Sequence, residues 1–174
     1  DGVADRVLVV AAEEMDWLTA DAFKKFSKTC RVSEGAAAVL LGSGSDPAAE
    51  GRNSKAILSE IPTPQPHLSD GGRIAAALGV RNEFRSLELA DASILIDGRQ
   101  GVTSWDRAED IAWQDWRKAR FSPKKWMGEA LTASVGWQTI LGARAVSEGR
   151  FNEAIISSPG INHQSAGIRL RSLS

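Results

Sequence analysis

Three short apolar runs, "RVLVVAAEE", "GAAAVLL" and "ASILID", constrain the fold of this chain more than any other feature. A run of this length with no polar alternation is the pattern of a strand covered on both faces. Strands are therefore expected over 6–14, 35–41 and 92–97, with further ones over 55–61 (ended by the "PTPQP" turn), 154–157 and 166–170. Between them the apolar period changes. Leu18, Ala22 and Phe26 recur four apart behind a capping Asp16, predicting a helix over 17–27. A short helix is expected over 71–79, with Gly79 in the stop position. Trp105, Ala108, Ala112, Trp116 and Ala119 form one stripe, predicting a helix over about 105–120. Over 131–146 only Arg144 interrupts the apolar residues, which predicts a helix buried on nearly all sides. Residues 43–54 read as a loop. Alternating strands and helices of this kind imply a layered α/β structure. The first strand comes after only a turn, "DGVADR". Its neighbours come either from later in the chain or from a part of the fold that lies elsewhere.

Length and charge narrow the options further. At 174 residues the chain can bury one sizeable core, and length alone suggests one domain. A formal charge of −1 gives no global argument for nucleic acid or an anionic membrane, and no apolar run is long enough to span a bilayer. Cys30 is the one cysteine, so there is neither a disulfide framework nor a cysteine metal site, and a reducing, cytoplasmic compartment is expected.

Several residues are candidates for chemistry. Glu129 is an acid at the start of an apolar helix, either a solvated charge favoured by the helix dipole or part of a site. Asp106 follows Thr103 at capping-box spacing. Gln100 is a loop amide or a donor, Lys124 a solvated charge or a partner, and His163 a surface residue or, with Asn162 and Gln164, part of a polar site. Ser43 and Ser45 in "GSGSD" lack the lysine of a phosphate loop. Arg117, Lys118, Arg120, Lys124 and Lys125 interleave with Trp113, Trp116 and Trp126. Such a patch either holds single-stranded nucleic acid or is the solvated end of a helix.

Five segments, taken in order, resemble the β-ketoacyl synthases. "ADRVLVVAAEE" and "SEGAAAVLL" resemble the family's "aDvmlaGgaE" and "GEGAgalvLe" strands. "DASILIDGRQGVTSWDRAED" resembles "yinaHGTSTplnDxxE", and "PKKWMGEALTASVGWQ" resembles "KSxxGHxxGAAG" and the thiolases' "GHPLGASG". "AIISSPGINHQSAGIRL" stands where the family has "NSFGFGGtNaslvl". The fold implied is thiolase-like, and only its latter part. Residues 1–54 would be the trailing strands and helix of the N-terminal half, and 55–174 the C-terminal half.

The resemblance places Gln100 at the family's first catalytic His, Lys124 at its Lys and Glu129 at its second His. Asp106 and Glu109 keep the D-x-x-E spacing. In the last hairpin "GFGG" becomes "GINH", so Pro159, Ile161, Asn162 and His163 would line the pocket, with Ile161 or Pro159 replacing the phenylalanine. The family nucleophile would precede this chain, and Cys30 takes no equivalent position. Gln100 can donate a hydrogen bond but cannot transfer a proton near neutral pH, and an ionised Glu129 only accepts. Losing one donor to a developing oxyanion typically costs roughly a hundred- to a thousand-fold in turnover. The resemblance therefore implies a degenerate, chain-length-factor-like partner needing neither metal nor cofactor. It would work beside an N-terminal half or ketosynthase chain, an acyl thioester and an acyl carrier protein docked on Arg117, Lys118, Arg120 and Lys125. Alternatives are the C-terminal piece of an active condensing acyltransferase, or a basic and aromatic binding module.

Overall fold

The computed structural model describes residues 4–43, 56–85, 91–161 and 163–173, with the side chains of Phe26 and Arg85 excepted. Strand β1 (Arg6–Glu13) leads into helix α1 (Trp17–Phe26), whose first turn is capped by Asp16 Oδ1 accepting from the Thr19 amide at 2.6 Å. Strand β2 (Gly35–Gly42) then returns antiparallel to β1, with Val9 opposite Val39. Strands β3 (Ile57–Glu60) and β4 (Gln65–Pro66) precede helix α2 (Asp70–Arg85). Strand β5 (Ser93–Ile96), helix α3 (Thr103–Ala112) and strand β6 (Ala119–Phe121) follow. Short helix α4 (Lys124–Met127), long helix α5 (Leu131–Ser147) and the hairpin of β7 (Glu153–Pro159) and β8 (Gln164–Arg171) complete the chain.

The main sheet has the order β3-β8-β7-β5-β6, with β4 also paired to β8. Its central strands β7 and β5 are parallel, as are β5 and β6, while β8 and β3 run antiparallel. Side chains leave alternate faces of a strand. Leu95 and Ile155 accordingly meet Val80 and Phe84 of α2 and Ala108 and Ala112 of α3. Ile96, Ala154, Ile156 and Leu170 face the opposite way, onto Val146 of α5. On its far side α5 carries the β1–β2 ribbon. The approach is close: a Cβ on Gly136 would lie 2.5 Å from the Ala37 Cβ. The layers therefore run α2 and α3, main sheet, α5, ribbon.

Four expectations need correction. The first strand forms where its apolar run predicts, but it is not covered on both faces. Among the described residues β1 pairs with β2 alone, and Leu8 and Val10 remain 62% and 60% exposed. The predicted 105–120 helix stops at Ala112; residues 119–121 form a sheet edge instead, stabilised by parallel pairing with β5. Gly79 does not stop its helix, which continues to Arg85. A Cβ there would meet the Gln65 side chain at 3.3 Å, so this glycine serves close packing against β4. Thr103 is inside α3 and caps nothing; the N-cap, Val102, has no side-chain hydrogen bond. Beyond Ser43 the predicted 43–54 loop, Ser45 included, lies outside the described residues, as does Asn162.

Candidate functional site

The loop leaving β5 is held from below by two acids of α3. Asp106 accepts from the amides of Gln100 at 2.8 Å and Gly101 at 2.9 Å, so its carboxylate shapes the loop and does not cap a helix. One turn on, Glu109 accepts from the Gly98 amide at 3.0 Å and from Ser157 Oγ at 3.2 Å. Burial, then the neighbouring Asp97, pushes the Glu109 carboxyl up to about 8. Asp97 itself takes Arg99 Nε at 2.9 Å and also pairs with Arg120. These contacts fix Gln100 in a buried position, 7% exposed.

Lys124 and Glu129 meet across the turn that follows α4. Gly128 reverses the chain with φ of +87°, a conformation that a side chain at this position would strain. The space is also tight, because a Cβ there would come 3.0 Å from the Arg31 carbonyl oxygen. The turn brings Lys124 Nζ to 2.8 Å from Glu129 Oε2, with side-chain exposures of 4% and 2%. Ser134 Oγ donates to Glu129 Oε1 at 2.9 Å and accepts from the Ala130 amide at 2.8 Å. Both carboxylate oxygens are thus engaged. Glu129 precedes α5 rather than opening its first turn, and neither it nor Lys124 is a solvated charge. This closed pair is the polar centre of the site.

Cys30, which sequence reasoning set aside, stands beside this centre. The Glu129 amide donates to the Arg31 carbonyl at 2.8 Å, and the Ser33 amide donates back to the Glu129 carbonyl at 2.9 Å. That stitch leaves Cys30 Sγ 3.6 Å from Gln100 Oε1. Burial first, then the Glu129 charge, pushes the thiol up to about 11, against an opposing effect of Lys124. At pH 7 about one thiol in ten thousand is then a thiolate. The arrangement suits a packed, quiet thiol better than a nucleophile. The contact is non-local, and no motif in the sequence signals it.

An apolar cleft of about 940 Å³ opens from this centre between the ribbon, α5 and β8. Val39, Val135, Ile161 and Ile168 are among its walls, and Lys124 and Glu129 also border it. Of the other candidate pocket residues, Pro159 is buried and His163 is exposed, its backbone in the left-handed region at φ of 61°.

The basic and aromatic group does not form one surface. Trp113 is 3% exposed and its indole donates to Ser157 Oγ at 3.1 Å, while Trp116 donates to the Ala119 carbonyl at 2.9 Å. Trp113 presents no free face for base stacking and Trp116 is half-buried, T-shaped against Trp113, whereas Trp126 is 78% exposed. Arg120 turns inward to Asp97, leaving Arg117, Lys118 and Lys125 outward. No helix among the described residues is long and apolar enough to cross a membrane.

No protein-family model and no curated protein matches the chain. Solved structures do. One is a type II PKS acyl-carrier protein in complex with its ketosynthase bound to the hexaketide, matched at a TM-score of 0.77 and 15% identity over 99% of this chain and 52% of that one. The ishigamide ketosynthase/chain length factor matches at a TM-score of 0.81 and 15% identity, over 99% and 55% of the two chains. A beta-ketoacyl synthase from Burkholderia phymatum STM815 matches at 0.70 and 14%, over 99% and 56%. The chain therefore spans about half the length of the solved chains that it matches. At such identities the likeness is one of fold: these strands and helices make up a partial, thiolase-like α/β fold of the ketosynthase kind.

Proposed function

We propose that this chain is a non-catalytic, chain-length-factor-like component of fatty-acid or polyketide assembly. In this reading it shapes an acyl pocket and leaves bond formation to a ketosynthase partner. The observation that carries the reading is the Lys124–Glu129 pair. A condensing site needs donors aimed at an oxygen that becomes negative. Here the ammonium is committed to a carboxylate at 2.8 Å, and that carboxylate's other oxygen is already held by Ser134. An enolate brought to Glu129 would meet a like charge. The apolar cleft that starts at this pair supports a role in accommodating an acyl chain. Residues 1–54 and 55–174 are read as parts of two thiolase-like halves. Arg117, Lys118 and Lys125 are read as the surface that meets an acidic carrier protein, with Arg120 positioning Asp97 from within.

Cys30 beside Gln100 favours a second reading, a rebuilt condensing enzyme that uses this thiol. The test is thioester decarboxylation and condensation by the chain assembled with its ketosynthase partner and an acyl carrier protein. Turnover in the assembly should be unchanged by Cys30→Ala and should vanish when the partner's nucleophile is removed. Condensation that survives that removal, or that is lost with Cys30→Ala, would overturn the proposal in favour of the second reading.

A further inference from the structure

Helix α5 carries one charged residue, Arg144, along its whole length, the pattern of a helix covered on every side. Two of its sides are covered. A Cβ on Gly142 would meet Ile156 and Ala154 of the main sheet at 3.0 and 3.3 Å, and Gly136 lies against Ala37 of the ribbon. The third side is open. Leu131, Val135, Thr139 and Ala143, at steps of four, are only half-buried and form the floor of the apolar cleft of about 940 Å³. One wall is the ribbon at Val39, and the other is strands β3 and β8 at Leu58 and Ile168. With α5 between them, the two walls stand roughly one helix diameter apart, about 10 Å.

The dimensions choose the occupant. From Leu131 to Ala143 the cleft runs about 18 Å at 1.5 Å per residue, so its volume of about 940 Å³ corresponds to a mean width of about 8 Å. Packed helices lie about 8–10 Å apart, axis to axis, whereas a single acyl chain is about 4 Å thick. A segment entering between apolar walls must also satisfy its own backbone N–H and C=O groups, which a helix does and an extended segment does not. The solved chains that share this fold carry about as much polypeptide again beyond the matched part. From this geometry we infer that an apolar helix of about three turns, supplied by the ketosynthase-like partner, lies in the cleft along α5. The inference rests on the proposed function for the identity of that partner. It leaves an acyl chain the end of the cleft bordered by Lys124 and Glu129.

The assembly with the ketosynthase partner tests it, using Thr139→Cys in a Cys30→Ser background labelled with bimane. On assembly the label's emission should shift to the blue, and a photoreactive label at the same position should capture partner residues spaced three and four apart. Val135→Asp should weaken assembly about a hundredfold or more, because it buries a charge without a counter-charge. If that variant does not fold, the captured residues decide alone. Assembly that leaves the label unmoved and is indifferent to Val135→Asp overturns the inference and leaves the proposed function standing. Failure of the unaltered chains to assemble overturns both. Palmitate that moves the label in the isolated chain and blocks assembly assigns the cleft to a lipid. A label that moves as the isolated chain dimerises assigns it to a second copy, and either result overturns the inference.

Discussion

Replacing Lys124 with Met probes the centre of the site directly. Both partners are almost sealed from water, at 4% and 2% exposure, so the discount applied to surface pairs does not arise. Across 2.8 Å, with an effective dielectric of about 20, the attraction is about 6 kcal/mol. Part of it offsets the cost of burying both charges, and the Ser134 bond survives the substitution. The net loss expected for Lys124→Met is therefore about 3 kcal/mol, the range seen when one partner of a buried pair is removed. For a chain of this size that lowers Tm by roughly 6–12 °C. Lys124→Met with Glu129→Leu removes both charges and should return to within about 1 kcal/mol of the native protein. Urea unfolding followed by tryptophan fluorescence measures all four corners of the cycle. A single substitution costing under about 1 kcal/mol, with the double equal to the sum of the singles, would refute the closed pair and with it the reason for reading the site as silent.

Three further outcomes follow from the same geometry. Alkylation of Cys30 by iodoacetamide should quicken about tenfold per pH unit until pH approaches 11; Glu129→Gln should raise the rate at pH 8 and Lys124→Met lower it, whereas half-maximal rate near pH 8.5 would contradict the burial assigned to the thiol. Glu109, raised to about 8, keeps its proton in the folded state where the unfolded chain has lost it. Its contribution to stability is therefore complete below about pH 4.5 and falls as pH climbs to about 8, and Glu109→Gln should flatten the stability profile across that window. Gly136→Val would press a Cβ 2.5 Å from that of Ala37, costing about 1–3 kcal/mol. Amide exchange in β1 and β2 should accelerate while β5 and β7 stay protected; uniform acceleration would show that the ribbon does not loosen separately.

What could be read from sequence divides by the range of the interaction. Apolar runs located β1, β2, β5, β7 and β8 because burial of a strand is written in consecutive residues. Strand β6 could not be read this way. Its three residues continue a helical stripe, and only pairing with β5 and the inward pull of Asp97 on Arg120 make them extended. The site shows the same division. Resemblance led to positions 100, 124 and 129, but Lys124 and Glu129 become one unit only because Gly128 reverses the chain between them. Cys30 and Gln100 are 70 residues apart in sequence, and the backbone stitch between 31–33 and Glu129 that brings them together leaves no local pattern.

The ribbon carries the last step. Its composition reads as buried on both faces, yet Val7, Leu8, Val9, Val10 and Leu40 are each about half exposed or more. Covering a side chain of this type is worth about 1.5–3 kcal/mol from full exposure, so half that value over five residues comes to roughly 5 kcal/mol. Among the described residues this apolar face lies beside strand edges that pair with no further strand, an aggregation hazard unless something covers them. A ketosynthase-like partner that extended the ribbon would gain both the apolar area and the edge hydrogen bonds. Under the proposed function, the face that looks misplaced on this chain is read as the surface by which it meets the subunit that does the chemistry, and its residues Val9, Val10 and Leu40 also border the cleft that begins at Lys124 and Glu129.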